Sequence, residues 1–544
     1  MKKVLTFILI MIIILACAAG CSDNPAEATD TETESAADTT EALSETETKT
    51  ETETETETET ETETETETYG EFIVEPEEDA ELTVSNVFGN DMVLQRDAAI
   101  TVWGTSNKEG ATVRGLFMDD EARGVVADGK WEITFAAKEM TAEPQVMTIE
   151  DSCGKSVEIN GILIGDVWII GGQSNAEATG VHIPEAKSSI QADENRALRI
   201  LHQSADDVIP NRKDAKEPRD DLINPKRVWM KETKINSGKV TLLGLFLGER
   251  LADETGVPIG IISIAANGAK INEFMPKELV DEYKYRVGGN VGPAEYYNGL
   301  VHPFIRIKFK AMVFFQGESE AFAGANPGPK KYSRDFIALM TEWRNRWGFE
   351  FPIYNVQLSD YTSKSLSSCV NVGYIRTQQY NAYTGMTGIR LIPSYDLGAK
   401  EGYWNYMHSP RKKELADRIA DLALADLYGI GSADDALAPE LAEISVSDDN
   451  TYVTVKFRNV GEGLVSKSGD NTFTGFVFGK IAQPNKMSTA TGEIISEDTV
   501  KVYIPEKADL SGIGYACKPH VTEDTAQLYN SKGLPALAFY YVLK

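Results

Sequence analysis

The pattern of apolar and polar positions divides the chain after residue 81 into three regions. From 82 to 161, short alternating runs such as Trp131–Phe135 are separated by Gly and Asp, as in a small β-sandwich. From 162 to 431, apolar strands such as Val167–Ile170 alternate with helical patterns, which is typical of an α/β domain. From 432 to 544 the two-residue alternation returns. The pattern therefore predicts an α/β domain flanked by N- and C-terminal β-sandwich-like regions.

The first 21 residues have the character of a bacterial lipoprotein signal peptide. Lys2 and Lys3 precede an apolar run over residues 4–19, which is shorter than the ~20 residues that span a bilayer. The alternative is a transmembrane anchor. Residues 18–21 resemble a lipobox, so we expect lipidation of Cys21, with Cys17 as a weaker candidate. The sequence thus predicts a membrane-anchored lipoprotein on the extracellular side of the cell surface.

Residues 22–81 are expected to form a disordered, acidic Thr/Glu-rich linker. They hold 24 Asp and Glu residues against the single Lys49, and Glu and Thr alternate between Glu45 and Thr68. This alternation offers no apolar face to bury, and its like charges repel one another. The linker carries most of the formal net charge of −31. A protein of this charge is not expected to bind nucleic acid.

Three predicted strands end in small or amide residues. Val167–Ile170 leads to Ser174, the strand 259–264 leads to Gly268, and the strand 311–315 leads to Gln316. Because parallel strands end at the same edge of a sheet, these residues are expected to lie together, and they are the parts of an oxyanion hole. The alternative is that Ser174 simply begins a helix as its N-cap.

A nucleophilic serine needs a base, and the sequence has five histidines. His408 lies in a loop before an amphipathic helical pattern over 412–428, and His302 is its rival. Periodicity alone does not separate the two. The body holds three scattered cysteines and no C-x-x-C pair, so no metal site is expected.

Three motifs together resemble the sialate O-acetylesterase family of SGNH hydrolases. They are Gly172–Asn175, Phe315–Ser319 and the spacing His408-x-Pro410-x-x-Lys413, and the similarity extends over roughly 82–544. The resemblance implies a flavodoxin-like three-layer α/β/α domain. It also implies an enzyme that hydrolyses O-acetylated glycans and needs no metal or organic cofactor.

The resemblance further implies a role for each matching residue. Ser174 corresponds to the nucleophile and, with Gly268 and Gln316, to the oxyanion donors. His408 corresponds to the general base, which leaves His302 outside the catalytic motifs. The predicted substrate-binding residues are Gln173, Asn175, Asn267, Glu318 and Arg376. Arg376 is placed there as a clamp for a sialic acid carboxylate, with a structural salt bridge as its alternative.

The triad acid and the substrate remain open at this point. The family pattern has an Asp before the histidine, but Asn405 stands three residues before His408. Asp396 is the first candidate for the acid, and a Ser–His dyad oriented by Asn405 or a backbone carbonyl is the alternative. Acetylated sialic acid and acetylated xylan are both candidate substrates, and a third is another ester such as a peptidoglycan acetyl group. A non-catalytic glycan-binding module on a decayed esterase scaffold is the competing class of function.

Overall fold

The structure is a computed structural model that describes residues 69–208, 215–285, 292, 294–325, 328–360, 370–398 and 408–543. The predicted signal peptide, the lipidation site at Cys21, residues 22–68 of the acidic linker and the position of Asn405 lie outside the described residues. From Gly70 onward the chain forms a compact unit. None of the described helices is long and apolar enough to cross a membrane.

The N-terminal region consists of short strands whose alternate residues are buried. β1, β3 and β6 form an antiparallel three-stranded sheet, and β4 pairs with both β5 and β7. In chain order these strands are β1 Leu82–Val84, β2 Val93–Gln95, β3 Ile100–Ser106, β4 Thr112–Phe117, β5 Asp120–Val125, β6 Lys130–Phe135 and β7 Thr141–Asp151.

One long strand, β8 (Ser156–Gly172), joins this region to the next sheet. Its first part pairs antiparallel with β7, and its last part is fully buried between parallel strands. The boundary predicted between residues 161 and 162 therefore falls inside a continuous strand. The N-terminal strands are therefore connected with the central sheet through this strand.

A buried ion pair also connects the two regions. Arg96, directly after β2, donates from Nε and Nη2 to the two carboxylate oxygens of Asp166 on β8, each at 3.0 Å. Asp166 is fully buried, and the pKa of Arg96 is raised by this carboxylate. Arg96 thus holds β2 against the central strand.

The central sheet is parallel apart from one edge strand. Its order is β10-β9-β11-β8-β12-β13-β14, with β10 antiparallel to β9. β8 therefore lies in the middle, between β11 and β12, and the chain builds the side of β9, β10 and β11 before it crosses to the side of β12, β13 and β14. The strands are β9 Leu198–His202, β10 Met230–Lys231, β11 Ile259–Ser263, β12 Ala311–Phe315, β13 Ile353–Val356 and β14 Ile389–Ile392.

Helices cover both faces of this sheet. α3 packs against Ile170 and Ile261 on one face, and α6 packs its aromatic side chains against Phe314 on the other. This arrangement agrees with a mixed α/β domain. The helices are α1 Ser174–Glu177, α2 Ala205–Val208, α3 Leu242–Thr255, α4 Lys277–Glu282, α5 Glu318–Ala321, α6 Tyr332–Trp347, α7 Val372–Gly385, α8 Lys412–Tyr428 and α9 Ala433–Ala436.

The C-terminal region is an antiparallel sheet that packs on the α/β domain. Its order is β15-β16-β20-β19-β18-β21-β23, and β17 pairs with β22 beside it. Gln357, just after β13, donates to the carbonyl oxygen of Ala538 at 2.8 Å, which ties the two regions together. The strands are β15 Glu440–Val446, β16 Tyr452–Arg458, β17 Leu464–Ser466, β18 Thr472–Phe478, β19 Ser488–Ser496, β20 Thr499–Tyr503, β21 Gly512–Tyr515, β22 Leu528–Asn530 and β23 Phe539–Val542.

Candidate active site

Ser174 lies at the carboxyl end of β8, the central strand at which the strand order of the sheet reverses. The turn before it requires glycine, because Gly172 has φ +128° and a Cβ there would lie 2.1 Å from the carbonyl oxygen of Phe315. The N–H of Gln173 donates to that same oxygen at 3.0 Å. Ser174 then begins α1 and is 7% exposed. The serine is therefore held at the edge of the sheet where parallel folds bind ligands.

The structure brings the three predicted strand-end turns together and connects them by hydrogen bonds. Gln173 Oε1 accepts from the N–H groups of Gly317 and Ser319, at 3.4 and 3.2 Å. Ser319 Oγ donates to the carbonyl oxygen of Gly268 at 2.9 Å. Gln173 is itself buried, so it holds two turns together where the sequence suggested contact with substrate.

Gln316 is also directed into the protein. It has no exposed surface, and its Nε2 donates to Glu320 Oε2 at 2.7 Å and to the carbonyl oxygen of Ala269 at 3.1 Å. An amide with these contacts stabilises the turns from the interior of the protein. A substrate would reach its nitrogen only after these hydrogen bonds had broken, so the geometry argues against its predicted use as an oxyanion donor.

Asn267 and Gly268 lie on the exposed side of the same cluster of turns. Gly268 has φ +71°, and a Cβ placed on it would meet no atom within 4 Å. This left-handed conformation favours glycine and leaves open space beside the main chain. Among the predicted site residues, these two therefore offer the most accessible surface.

Next to Ser174, Asn175 connects two buried ionisable side chains by hydrogen bonds. Asn175 Nδ2 donates to Glu318 Oε1 at 2.6 Å, and Asn175 Oδ1 accepts from Lys412 Nζ at 2.6 Å. Burial raises the pKa of Glu318 to about 7, against the hydrogen bond from Asn175. Burial lowers the pKa of Lys412 to about 7, against the attraction of Glu318. Asn175 and Glu318, predicted to bind substrate, instead form an internal network with a lysine.

His408 directly precedes the segment that enters α8. Burial lowers its pKa to about 4, and the positive charges of Lys412 and His182 add to this effect. The next residue, Ser409, is buried and donates to the carbonyl oxygen of Leu397. By contrast, Nδ1 of the rival His302 faces the carbonyl oxygen of Arg219 at 2.7 Å.

The carboxylate of Asp396 is engaged by an arginine. Arg418 on α8 donates from Nη1 and Nη2 to its two oxygens, at 2.8 and 2.5 Å. Such a bidentate pair fixes the carboxylate in one orientation. Its predicted role as the acid that orients His408 stays a prediction. What the structure shows is an ion pair that connects Asp396 with α8.

Arg376 is a buried structural residue, whereas the sequence suggested that it binds a substrate carboxylate. It has no exposed surface, and it lies in the interior between α7 and the C-terminal region. Its hydrogen bonds within the described residues go to main-chain oxygens: Nε to Leu358 at 2.7 Å, Nη1 to Ala516 at 3.2 Å and Lys518 at 3.3 Å, and Nη2 to Ser359 at 3.2 Å. Nη2 also lies 3.8 Å from Oδ1 of the buried Asp360, which agrees with the alternative of a structural salt bridge. Its guanidinium is therefore not available to a substrate carboxylate.

The sequence analysis missed three buried charged residues at this site. Glu320 accepts from the N–H of Ile271 at 2.6 Å, and burial raises its pKa to about 8. Burial likewise raises the pKa of Glu177, in α1, to about 8. The third is Lys412, and here a signal existed: it shares the buried face of α8 with Leu415 and Ile419, three and seven residues later. Its neighbour Lys413, the lysine of the similarity motif, pairs with Asp417 on the surface.

Replacement of Arg376 by methionine is expected to destabilise the fold. The substitution leaves several buried carbonyl oxygens without donors, so we expect the free energy of unfolding to fall by about 3 kcal/mol or more. Urea unfolding followed by tryptophan fluorescence measures the change. The matched control is Arg250→Met, because Arg250 pairs with Glu254 and Asp421 on the surface, where such pairs contribute about 0–1 kcal/mol. Equal effects of the two substitutions would contradict the structural role of Arg376.

Comparison with known proteins points to carbohydrate esterases. Residues 164–425 match the model of a family described as carbohydrate esterase, sialic acid-specific acetylesterase. The sialate O-acetylesterase of Pongo abelii is 26% identical over 383 residues, covering 63% of this chain and 71% of that protein. The human sialate O-acetylesterase is 25% identical over 383 residues, with the same coverage. A crystal structure of a carbohydrate acetylesterase from Xanthomonas citri, 24% identical, shares the fold with a TM-score of 0.70 over 85% of this chain and 100% of that one. The segment that carries Ser174, the three connected turns and His408 is thus similar to sialic acid-specific acetylesterases.

Proposed function

We propose that this chain is a carbohydrate O-acetylesterase with Ser174 as nucleophile and His408 as general base. The family model and the curated relatives support an esterase. The observation that carries the residue assignment is the convergence of three turns around Ser174, with one hydrogen bond, from Lys412 to Asn175, linking that point to the segment of His408.

The proposed reaction is acyl transfer through the serine. Neutral His408 takes the proton from Ser174 Oγ, which attacks the acetyl carbonyl carbon. The main-chain N–H groups of Ser174 and Gly268 stabilise the negative oxygen of the tetrahedral intermediate. The sugar oxygen leaves with the proton from His408, and His408 then activates a water molecule that releases acetate from the acyl-enzyme.

In this proposal the reacting groups form a Ser–His dyad without a triad acid. Asp396 is held by both guanidinium nitrogens of Arg418, so orientation of His408 by a backbone carbonyl or by Asn405 needs no rearrangement of that pair. A role for Asp396 as the triad acid requires one of its oxygens to accept a hydrogen bond from His408 in addition to that from Arg418.

O-acetylated sialic acid is the first substrate to test, because the curated relatives are named sialate O-acetylesterases. Arg376 adds no carboxylate recognition to this argument, since it is buried. Acetylated xylan is the second candidate, because a neutral acetylated sugar needs no positive clamp.

Ser174→Ala is expected to abolish acetate release. Loss of the nucleophile from such a site typically lowers kcat by at least about 10³-fold. Acetate released by the full-length chain from acetylated sialic acid and from acetylated xylan, measured in parallel, tests reaction and substrate together. Wild-type activity in the variant would overturn the assignment of Ser174. A folded wild type that releases acetate from neither substrate would favour a glycan-binding module or a different acetyl ester.

The pH dependence of kcat/KM is expected to report the lowered pKa of His408. A general base must be neutral, and the pKa of His408 is about 4, so activity should rise with pH through about 4 and already be near its plateau at pH 6. Hydrolysis of 4-nitrophenyl acetate between pH 3 and 8 measures this limb, with circular dichroism at each pH as a control for folding. A midpoint near 6.5, the ordinary value for histidine, would contradict the burial of the working base.

We further propose that Cys21 is lipidated and that the acidic segment after it tethers the esterase at the cell surface. The proposal is supported by the lipobox-like residues 18–21 and by the charge repulsion along the Glu-Thr alternation. Cys21→Ala is expected to move the protein from the membrane fraction to the soluble fraction, and Cys17→Ala is the matched control. Retention of the Cys21 variant in a detergent-soluble membrane fraction would contradict lipidation at this residue.

A further inference from the structure

Lys412 is a lysine inside the protein, at the first position of α8. It is 1% exposed and shares the buried face of the helix with Leu415 and Ile419. A buried ammonium group is strongly unfavourable unless other groups compensate its charge. Here Nζ donates to Asn175 Oδ1 at 2.6 Å and lies 5.2 Å from the centre of the Phe315 ring.

The two charged neighbours of Asn175 fix the orientation of its amide. Lys412, a donor, contacts the amide oxygen, and Glu318, an acceptor, contacts the amide nitrogen. Reversal of the amide would place its NH₂ against an ammonium and its oxygen against a carboxylate, so only one orientation is favourable. Since Asn175 directly follows Ser174 in α1, a fixed Asn175 side chain restrains the turn that presents the serine.

The same lysine also lies near the histidine. His408 lies four residues before Lys412, on the segment that leads into α8, and the two groups are close enough for the lysine charge to lower the pKa of the imidazole. His182 acts on His408 in the same direction, and Glu318 on α5 faces Lys412. The hydrogen bond from Lys412 to Asn175 therefore joins the segment of the base to the segment of the nucleophile.

We propose that Lys412 is a positioning residue that, acting through Asn175, sets the distance and orientation between Ser174 and His408. This inference rests on the proposed function, because it takes Ser174 and His408 as the reacting pair. Lys412 itself does not touch the substrate in this account. Its effect is on the geometry of proton transfer and attack, where a displacement of about 1 Å lowers rates by about 10²-fold.

Lys412→Met is expected to lower kcat by about 10²-fold and to leave KM within about threefold. Methionine keeps an unbranched side chain of similar length but cannot donate to Asn175. The matched control is Lys413→Met, the next residue, whose side chain is on the surface and pairs with Asp417. Initial rates with 4-nitrophenyl acetate and the acetylated sugar give the two parameters. A kcat for Lys412→Met equal to that of Lys413→Met would overturn the proposal.

A double-mutant cycle tests whether the lysine acts through Asn175. If it does, Asn175→Ala and Lys412→Met each remove the same restraint, and the double variant is scarcely slower than the more damaged single variant. If the two reductions in kcat multiply, the lysine acts independently of Asn175 and the proposed route is wrong. The rate at which an organophosphonate labels Ser174 gives a second measure of the same restraint.

A double variant without either charge distinguishes a positioning role of Lys412 from a purely stabilising one. Lys412→Met alone leaves Glu318 buried without a neighbouring positive charge, which threatens folding. The double variant Lys412→Met/Glu318→Gln removes both charges and retains an amide oxygen that can accept from Asn175. We expect this variant to unfold at a temperature close to that of the wild type and still to have a kcat lower by at least about tenfold. Recovery of both stability and kcat would show that the lysine serves stability alone.

These outcomes are distinct from failure of the proposed function. If the wild type does not hydrolyse acetyl esters, or if Ser174→Ala retains activity, the proposed function itself fails. If the wild type is active and depends on Ser174 while Lys412→Met retains full kcat, only the positioning role fails.

Discussion

The arrangement of the site depends on three buried parallel strands that end together. β8 lies between β11 and β12, with Ile170 opposite Ser263 and Gly172 opposite Phe315. All three strands are buried over their length or their final half, so their ends cannot shift without breaking the sheet. Parallel pairing therefore brings residues that are far apart in the chain to one edge.

Burial then decides what the polar side chains at this edge do. A buried polar group without a partner is strongly unfavourable, so the polar groups of the three turns form hydrogen bonds with one another. Gln173 accepts from two N–H groups of the turn after β12, and Gln316 donates to the turn after β11. These side chains stabilise the scaffold, and in the proposed reaction it is the main-chain N–H groups of Ser174 and Gly268 that face the substrate.

The sequence was sufficient for the parts that hydrophobic patterning controls. Apolar runs predicted the central strands, the direction of parallel strands predicted that Ser174, Gly268 and Gln316 would meet, and periodicity predicted the helix that follows His408. It was insufficient where side-chain direction matters. A motif gives the neighbours of Glu318 or Arg376 along the chain, whereas their roles depend on contacts more than 15 residues away.

Two other differences have equally specific causes. The N-terminal boundary was placed at residue 161 because the composition changes there, but a strand can continue through such a change, as β8 does. Lys412 was not identified as a site residue, since charged residues are usually exposed. Its spacing from Leu415 and Ile419 on the apolar face of α8 was the signal of its burial.

The buried charges beside Ser174 are difficult to explain by stability alone. Replacing a buried ion pair by apolar residues of similar volume is often neutral or stabilising, because the charges lose their hydration on burial. Lys412 and Glu318 would therefore be poor choices for filling space behind α1. What apolar side chains cannot provide is direction: a hydrogen bond from a charged group fixes both the distance and the orientation of its partner. Both contact Asn175, one residue after the serine, and Lys412 lies four residues after the histidine, so this direction acts where the proposed acyl transfer requires precise geometry.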